Sequence, residues 1–203
     1  MSSSRRPPAC RLRVSLRTPT QTHVPYPKNM RYRRANIAGA TYFFTVNLAD
    51  RKSALLTAQI DKLRTAVRLV QSRHPFEIPA MVILPDHLHA LWVLPPDDAN
   101  FATRWSLIKA GFSRGLPANE RISTSRQSKG ERGIWQRRYW EHLIRDDDDY
   151  ARHVDYIHYN PVKHGHVTRA ADWPHSSIRR YTNAGTLPVD WGAAADIDGA
   201  FGE

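Results

Sequence analysis

Between residues 76 and 94 the chain runs through two short, β-branched and apolar stretches separated by Pro85-Asp86. A Pro-Asp pair between two such runs is a turn signal. The spacing therefore predicts a hairpin, with one strand over residues 76–84 and the next over 87–94. The second strand opens with His87-Leu88-His89. Alternate side chains of a strand share a face, so the two imidazoles lie side by side while Leu88 and Ala90 turn to the other face. Two neutral imidazoles one strand repeat apart can grip a divalent metal ion and leave its other positions open. Two structural histidines would give the same pattern, and the pair alone does not separate the readings.

The flanking sequence supplies the rest of the fold. Residues 41–48, rich in aromatic and β-branched side chains and preceded by Gly39, read as a first strand. Ile60, Leu63, Val67 and Val70 form a helical stripe within residues 57–72, ended by His74-Pro75. A second stripe, Trp105, Ile108, Phe112 and Leu116, follows the stop signal Pro95-Pro96-Asp97-Asp98. Residues 117–133 lack any period and read as a mobile basic loop, and residues 134–144 as extended chain ending in a strand. The acidic run 146–149 suits a helix start, where an Asp can cap and negative charge meets the positive end of the dipole. That helix is expected over residues 150–160, with Tyr150, Val154 and Ile157 on its apolar face and Pro161 as its stop. Tyr156 and Asn160 are one turn apart on a neighbouring face, with His153 on the same side. The order strand, helix, strand, strand, helix, strand, helix predicts an α+β protein: a ferredoxin-like antiparallel sheet with helices on one face.

At 203 residues, with 41% hydrophobic side chains, one domain with a substantial core is expected. No apolar run reaches the ~18 residues of a membrane span. The single cysteine, Cys10, excludes a disulfide framework and a cysteine-based zinc finger within the chain. Lys plus Arg number 30 against 19 Asp plus Glu, a formal net charge of +11, which favours a polyanionic partner. Residues 1–29 hold six basic residues and no acidic one among many Ser, Thr and Pro. This segment is expected to be a disordered basic extension, either upstream of an original start at Met30 or, in composition, like an organelle transit peptide. The domain is expected over residues 30–165, with a tail over 166–203 packing back on it through its tryptophans. Arg31-Tyr32-Arg33-Arg34 and Arg137-Arg138 beside Tyr139 and Trp140 combine cations with rings, a pattern that suits phosphates and unpaired bases. Lys109 and Lys163 join them as candidate DNA contacts. A solvated arm or a plain loop role fits several of these equally.

Several His-x-His chemistries are excluded by the residues that follow. Leu91 stands where a metallo-β-lactamase-like hydrolase needs an Asp, and where a histidine-triad hydrolase needs a third His. The chain is too short for the barrel of about 250 residues that an amidohydrolase requires.

Four segments resemble one family: Tyr42-Phe43-Phe44-Thr45-Val46-Asn47-Leu48, Leu84-Pro85-Asp86-His87-Leu88-His89, Trp135-Gln136-Arg137-Arg138-Tyr139-Trp140-Glu141-His142, and the run from His153 to Gly165. Together they resemble the single-tyrosine HUH nucleases, and among these the REP-associated tyrosine transposases of bacteria. The resemblance spans about residues 30–192. It implies the HUH endonuclease fold, with Tyr156 as the nucleophile that attacks a phosphodiester of single-stranded DNA at repeat hairpins. The products would be a 5′-phosphotyrosine and a free 3′-OH. It also implies a divalent ion, Mg²⁺ or Mn²⁺, on His87 and His89 with Asn160 as an oxygen ligand. A phenol with a pKa near 10 is a weak nucleophile at neutral pH, so such an ion has a chemical task. The family further implies a monomer acting in cis, in the bacterial cytoplasm on the nucleoid, with no membrane partner. Two other readings of the same residues are a non-catalytic binder of hairpin DNA or RNA, and a metal-dependent phosphodiesterase that uses water.

Overall fold

The computed structural model describes residues 36–118 and 122–192. The leader expected over 1–29 and the cluster Arg31, Tyr32, Arg33 and Arg34 lie outside the described residues. The elements are, in order, β1 (Thr41–Asn47), α1 (Leu55–Ala58), α2 (Ile60–Arg73), β2 (Glu77–Ile83), β3 (His87–Val93), α3 (Phe101–Arg114), α4 (Thr124–Gln127), β4 (Trp140–Leu143), α5 (Asp147–Lys163) and, after a 3-10 turn at Ala170–Asp172, α6 (Ile178–Asn183).

The four strands form one sheet in the order β2-β3-β1-β4, every neighbouring pair antiparallel. This is the split βαβ arrangement expected from the order of the elements. The β2–β3 hairpin turns at Pro85-Asp86, and Leu84 N–H donates to the His87 carbonyl at 2.8 Å. In the β1–β3 register, Thr45 lies opposite His89 and Asn47 opposite His87.

Alternation divides the strands between two cores. Tyr42, Phe44 and Val46 of β1 share a face with Leu88, Ala90 and Trp92 of β3, and α2 and α3 bury that face. Trp92 stacks on Trp105 of α3 at 4.2 Å and 15°. The opposite face carries Phe43 and Leu91 with Ala80 and Val82 of β2, and it is covered by Val154 and Ile157 of α5 together with Ile178, Tyr181 and Trp191. Helices thus cover both faces of the sheet, which corrects the expectation of one. The two crossover helices do share a face. However, β3 is buried at every position from His87 to Trp92, and a strand apolar on both sides needs cover on both.

The β2 edge is closed by residues 175–177. Ser176 bridges to Val82, and Ser177 N–H donates to the Met81 carbonyl at 2.8 Å. An uncovered edge would otherwise offer a template for another strand.

Helix α5 begins as the acidic run implies, with the Asp146 side chain accepting from Asp149 N–H at 2.7 Å. Its end differs from expectation: Pro161 lies inside the helix, which runs to Lys163. In the last turn Pro removes a single donor, and its fixed φ suits the helix. The stop is Gly165, at φ +70°. Its N–H donates to Val162 and that of His166 to Pro161, both at 2.9 Å, the paired bonds of a Schellman ending.

The basic loop is also more ordered than its composition suggests. Residues 122–133 include α4, and Arg132 donates to the Leu116 carbonyl at 2.8 Å at the end of α3. Arginines that cap free carbonyls give a segment order without an apolar stripe. Among the described residues no helix is long and apolar enough to cross a membrane.

Candidate active site

His87 and His89 project from β3 on the face that α5 covers, with ring centroids 5.0 Å apart. Each has one nitrogen tied back. Asp86 Oδ1 lies 2.8 Å from His87 Nδ1, and the other Asp86 oxygen meets Arg51 Nε at 2.8 Å. Thr45 Oγ1, delivered by the β1–β3 register, lies 2.9 Å from His89 Nδ1. Tying one ring nitrogen fixes the tautomer and aims the other, as partners of metal-binding imidazoles do. His87 Nε2 is buried with no hydrogen-bond partner. Burial pushes the His87 pKa down, partly opposed by Asp86, while Arg51 and His164 lower it further. A neutral imidazole, the form that binds metal, is therefore favoured.

Helix α5 contributes a single polar stripe: Asp149, His153, Tyr156, Asn160 and Lys163 recur at intervals of three and four. The Tyr156 ring packs 5.1 Å from His89 and 5.9 Å from Phe43, and the residue is only 2% exposed. Lys163 Nζ sits 5.0 Å from the Tyr156 ring centroid. One turn past the tyrosine, Asn160 is fully buried, and both its Oδ1 and its Nδ2 lack a hydrogen-bond partner. A buried amide left unbonded costs about 1–3 kcal/mol per group. Such a group marks a place built to meet something further. The donor set, two imidazole nitrogens and an amide oxygen, fits a small divalent cation.

A second cluster continues the stripe toward β4. His142, Asp149 and His153 bring three ligand atoms within 4.8 Å of one another, an arrangement that could hold a metal ion. Those atoms are already occupied with each other and with the chain. His142 Nε2 meets Asp149 Oδ2 at 2.8 Å, Arg145 N–H and Nε donate to the same oxygen at 3.2 and 3.1 Å, and His153 Nδ1 meets the Asp149 carbonyl at 2.7 Å. Burial acts to raise the Asp149 pKa, but the hydrogen bonds from Arg145 and His142 hold it well below the usual carboxylate range. Phe43 lies 4.7 Å from His153 and stacks on His89 at 5.5 Å, linking this cluster to the β3 pair.

The other sequence candidates divide. Lys163 stands at the site. Lys109 lies on α3, which packs on the opposite face, where its Nζ donates to the Gln136 carbonyl at 3.1 Å and sits 5.1 Å from the Tyr139 ring centroid. Arg137 is paired with Glu131 at 2.8 Å, and Arg138 is exposed. Lys109 and Arg137 line one cleft of about 570 Å³ together with Arg114, Arg126 and Arg132. Tyr139 and Trp140, read from sequence as rings for unpaired bases, are half-buried and pack on the protein: Tyr139 against Phe44 and Trp105, Trp140 against Phe43 and His142. Strand pairing turned both rings onto the sheet faces.

No family model matches the chain. It is 46% identical to the REP-associated tyrosine transposase of Escherichia coli strain K12, over 82% of this chain and 92% of that protein. The chain belongs to the REP-associated tyrosine transposase family. A Haemophilus influenzae protein given the same designation provisionally is 49% identical over 82% of this chain and 95% of its own length. The solved structure of a REP-associated tyrosine transposase bound to a REP hairpin superposes with a TM-score of 0.72 at 44% identity, covering 85% of this chain and 96% of that one.

As a REP-associated tyrosine transposase, the protein is an enzyme, and the antiparallel sheet flanked by helices is the fold of its relative. The sequence reading gave Thr45, Asp86 and Phe43 no role at the site and left His164 level between a plain loop role and DNA contact. Asp86 read as a turn residue, and the His164 ring lies 5.1 Å from that of His87. Thr45 becomes relevant only through its register with His89, which β1 does not announce by itself.

Proposed function

We propose that this transposase is a metal-dependent, single-stranded DNA endonuclease and strand transferase that works at repeat hairpins, with Tyr156 as its nucleophile. One observation carries the reading: the Tyr156 ring is packed against His89, while Asn160, one turn on, keeps a buried amide with no partner of its own. The hairpin-bound relative supports repeat hairpin DNA as the substrate class.

In the cleavage step the Tyr156 phenolic oxygen attacks phosphorus. A bond forms from that oxygen to phosphorus, the bond from phosphorus to the 3′ oxygen breaks, the phenol gives up its proton, and the 3′ oxygen leaves and takes one up. The DNA 5′ end is then an ester of Tyr156. Attack by another 3′-OH reverses every bond change, so rejoining needs no added energy source. His87, His89 and Asn160 would hold a divalent ion, Mg²⁺ or Mn²⁺, which when bound supplies Lewis acidity at the phosphate. Asp86 and Thr45 keep the imidazoles oriented, and burial favours the neutral form of His87. Lys163 places a positive charge beside the Tyr156 ring, where it would attract a phosphate.

Arg31, Tyr32, Arg33, Arg34, Lys109, Arg137 and Arg138 are assigned to DNA contact. Residues 30–165 serve as the nuclease domain and residues 166–203 as its C-terminal tail, in a monomer acting on the nucleoid in the cytoplasm.

The test incubates the full chain with single-stranded hairpin DNA and Mn²⁺ and resolves protein–DNA adducts on a denaturing gel. Tyr156→Phe should abolish the adduct and retain binding, while Tyr159→Phe should keep both. Cleavage without an adduct would instead indicate hydrolysis by water, and binding without cleavage a non-catalytic binder.

A further inference from the structure

The C-terminal end of α5 and the segment after it carry a row of rings that the cleavage chemistry does not use and of which only Trp173 packs against a core. From His87 the ring centroids step to His164 at 5.1 Å, to His166 at 6.2 Å, to Trp173 at 5.1 Å and to His175 at 5.6 Å. His164, His166 and Trp173 are close to parallel, with interplanar angles of 29° and 24°. His164 and His166 are exposed, and Trp173 and His175 are half-buried. The series therefore starts at the candidate metal pair and leaves it along the surface.

The supports under these rings are rigid. The Schellman ending at Gly165 pins the turn that carries His164 and His166. Trp173 Nε1 donates to the Ile83 carbonyl at 2.9 Å, and the His175 carbonyl accepts from Ile83 N–H at 2.9 Å. Positive charge accompanies the row. Lys163 precedes it, and Arg64 and Arg179 lie close enough to His175 to lower its pKa, after burial, against Asp61, which pairs with Arg64 at 3.7 Å. Arg169 is neutralised by Asp172 at 2.8 and 2.9 Å.

Fixed rings beside cations suit one kind of polymer. Bases of an unpaired strand stack on such rings whatever their sequence, whereas a duplex hides its base faces. The 6.2 Å between His164 and His166 falls just short of twice the ~3.4 Å stacking rise of DNA, so a small opening would admit one base between them.

We infer that His164, His166, Trp173 and His175 form a stacking track for the single-stranded DNA flanking the hairpin, guiding that strand to or from the His87–His89 pair. The track rests on the proposed function, since it assumes that single-stranded DNA reaches the histidines. Its substrate is the unpaired extension, not the hairpin stem.

The test compares the full chain with His166→Ala and His166→Phe, because His166 is exposed and far less anchored than Trp173. Affinities are measured by fluorescence anisotropy for a hairpin with a single-stranded extension and for the same hairpin trimmed flush. His166→Ala should weaken binding of the extended hairpin roughly 5- to 100-fold, the range of one lost base stack. His166→Phe should restore it, and flush hairpins should bind all three proteins alike. An abasic site at the stacked position should weaken the wild type and add nothing to His166→Ala. Equal affinities of wild type and His166→Ala for the extended hairpin would overturn the track, as would an equal loss on the flush one. If His166→Ala binds normally and wild type still forms the Tyr156 adduct, only the track fails. If wild type neither binds single-stranded DNA nor forms the adduct, the underlying reading fails with it.

Discussion

At the residue scale, the histidine pair shows how much depends on groups one bond behind it. Asp86 and Thr45 each occupy a ring nitrogen and leave the other to face the site. Removing such a partner typically weakens metal affinity 10- to 100-fold. Asp86→Asn should therefore raise the Mn²⁺ concentration for half-maximal adduct formation by that factor, with hairpin binding in chelator unchanged. An unchanged metal requirement would show that Asp86 serves only the turn. A different histidine, His158, is fully buried, with Nε2 2.9 Å from Ser177 Oγ, and burial pushes its pKa down to about 3. Its unfolded value is near 6.5, so the unfolded chain binds the extra proton first. The stability it contributes is complete above about pH 6.5 and is lost as pH falls from there toward 3, by up to about 1.4 kcal/mol per unit. His158→Gln should cost stability at pH 7, and the gap to wild type should close as denaturant midpoints are followed down to pH 4.5. Asp149, held low by its hydrogen bonds, would add its own loss as pH falls into and below the ordinary carboxylate range.

At the element scale, α5 carries most of the proposed site, because one helix presents Tyr156, Asn160 and Lys163 on a single stripe. Its acidic start and its apolar face are legible from residue types alone. Its end is not, since Pro161 is the stronger stop signal yet Gly165 provides the stop. A Cβ at Gly165 would meet only open space, and the residue's φ is +70°, so its requirement is conformational, not steric. Gly165→Ala should cost about 1 kcal/mol, lowering the melting temperature by a few degrees. Because the same turn carries His166, it should also weaken binding of an extended hairpin more than of a flush one. A melting temperature equal to wild type would mean that the turn relaxes without loss.

At the scale of the whole molecule, charge and fold separate. The net charge of +11 includes six basic residues within positions 1–29, while the candidate active site and both cores lie between Tyr42 and Trp191. A chain begun at Met30 should keep its melting temperature and its rate of adduct formation at low salt. Its nonspecific DNA affinity should fall, and the slope of log affinity against log salt should flatten, since fewer cations displace counterions. A large drop in melting temperature would show that the leader is part of the fold.

The sequence by itself determined the order of the four strands and the three long helices, though not the short helices α1, α4 and α6, together with the split βαβ sheet, the pairing of His87 with His89 on one face, and the helical spacing of Tyr156 and Asn160. All of these follow from local periodicity, which fixes which side chains share a face. Only the tertiary structure decided what those faces meet. It set Thr45 opposite His89, put helices on both sides of the sheet, turned Tyr139 and Trp140 onto the sheet faces, and brought His164 to His87. Each of these joins residues distant in the chain through strand register or helix docking, and neither leaves a periodic mark in the segments it joins.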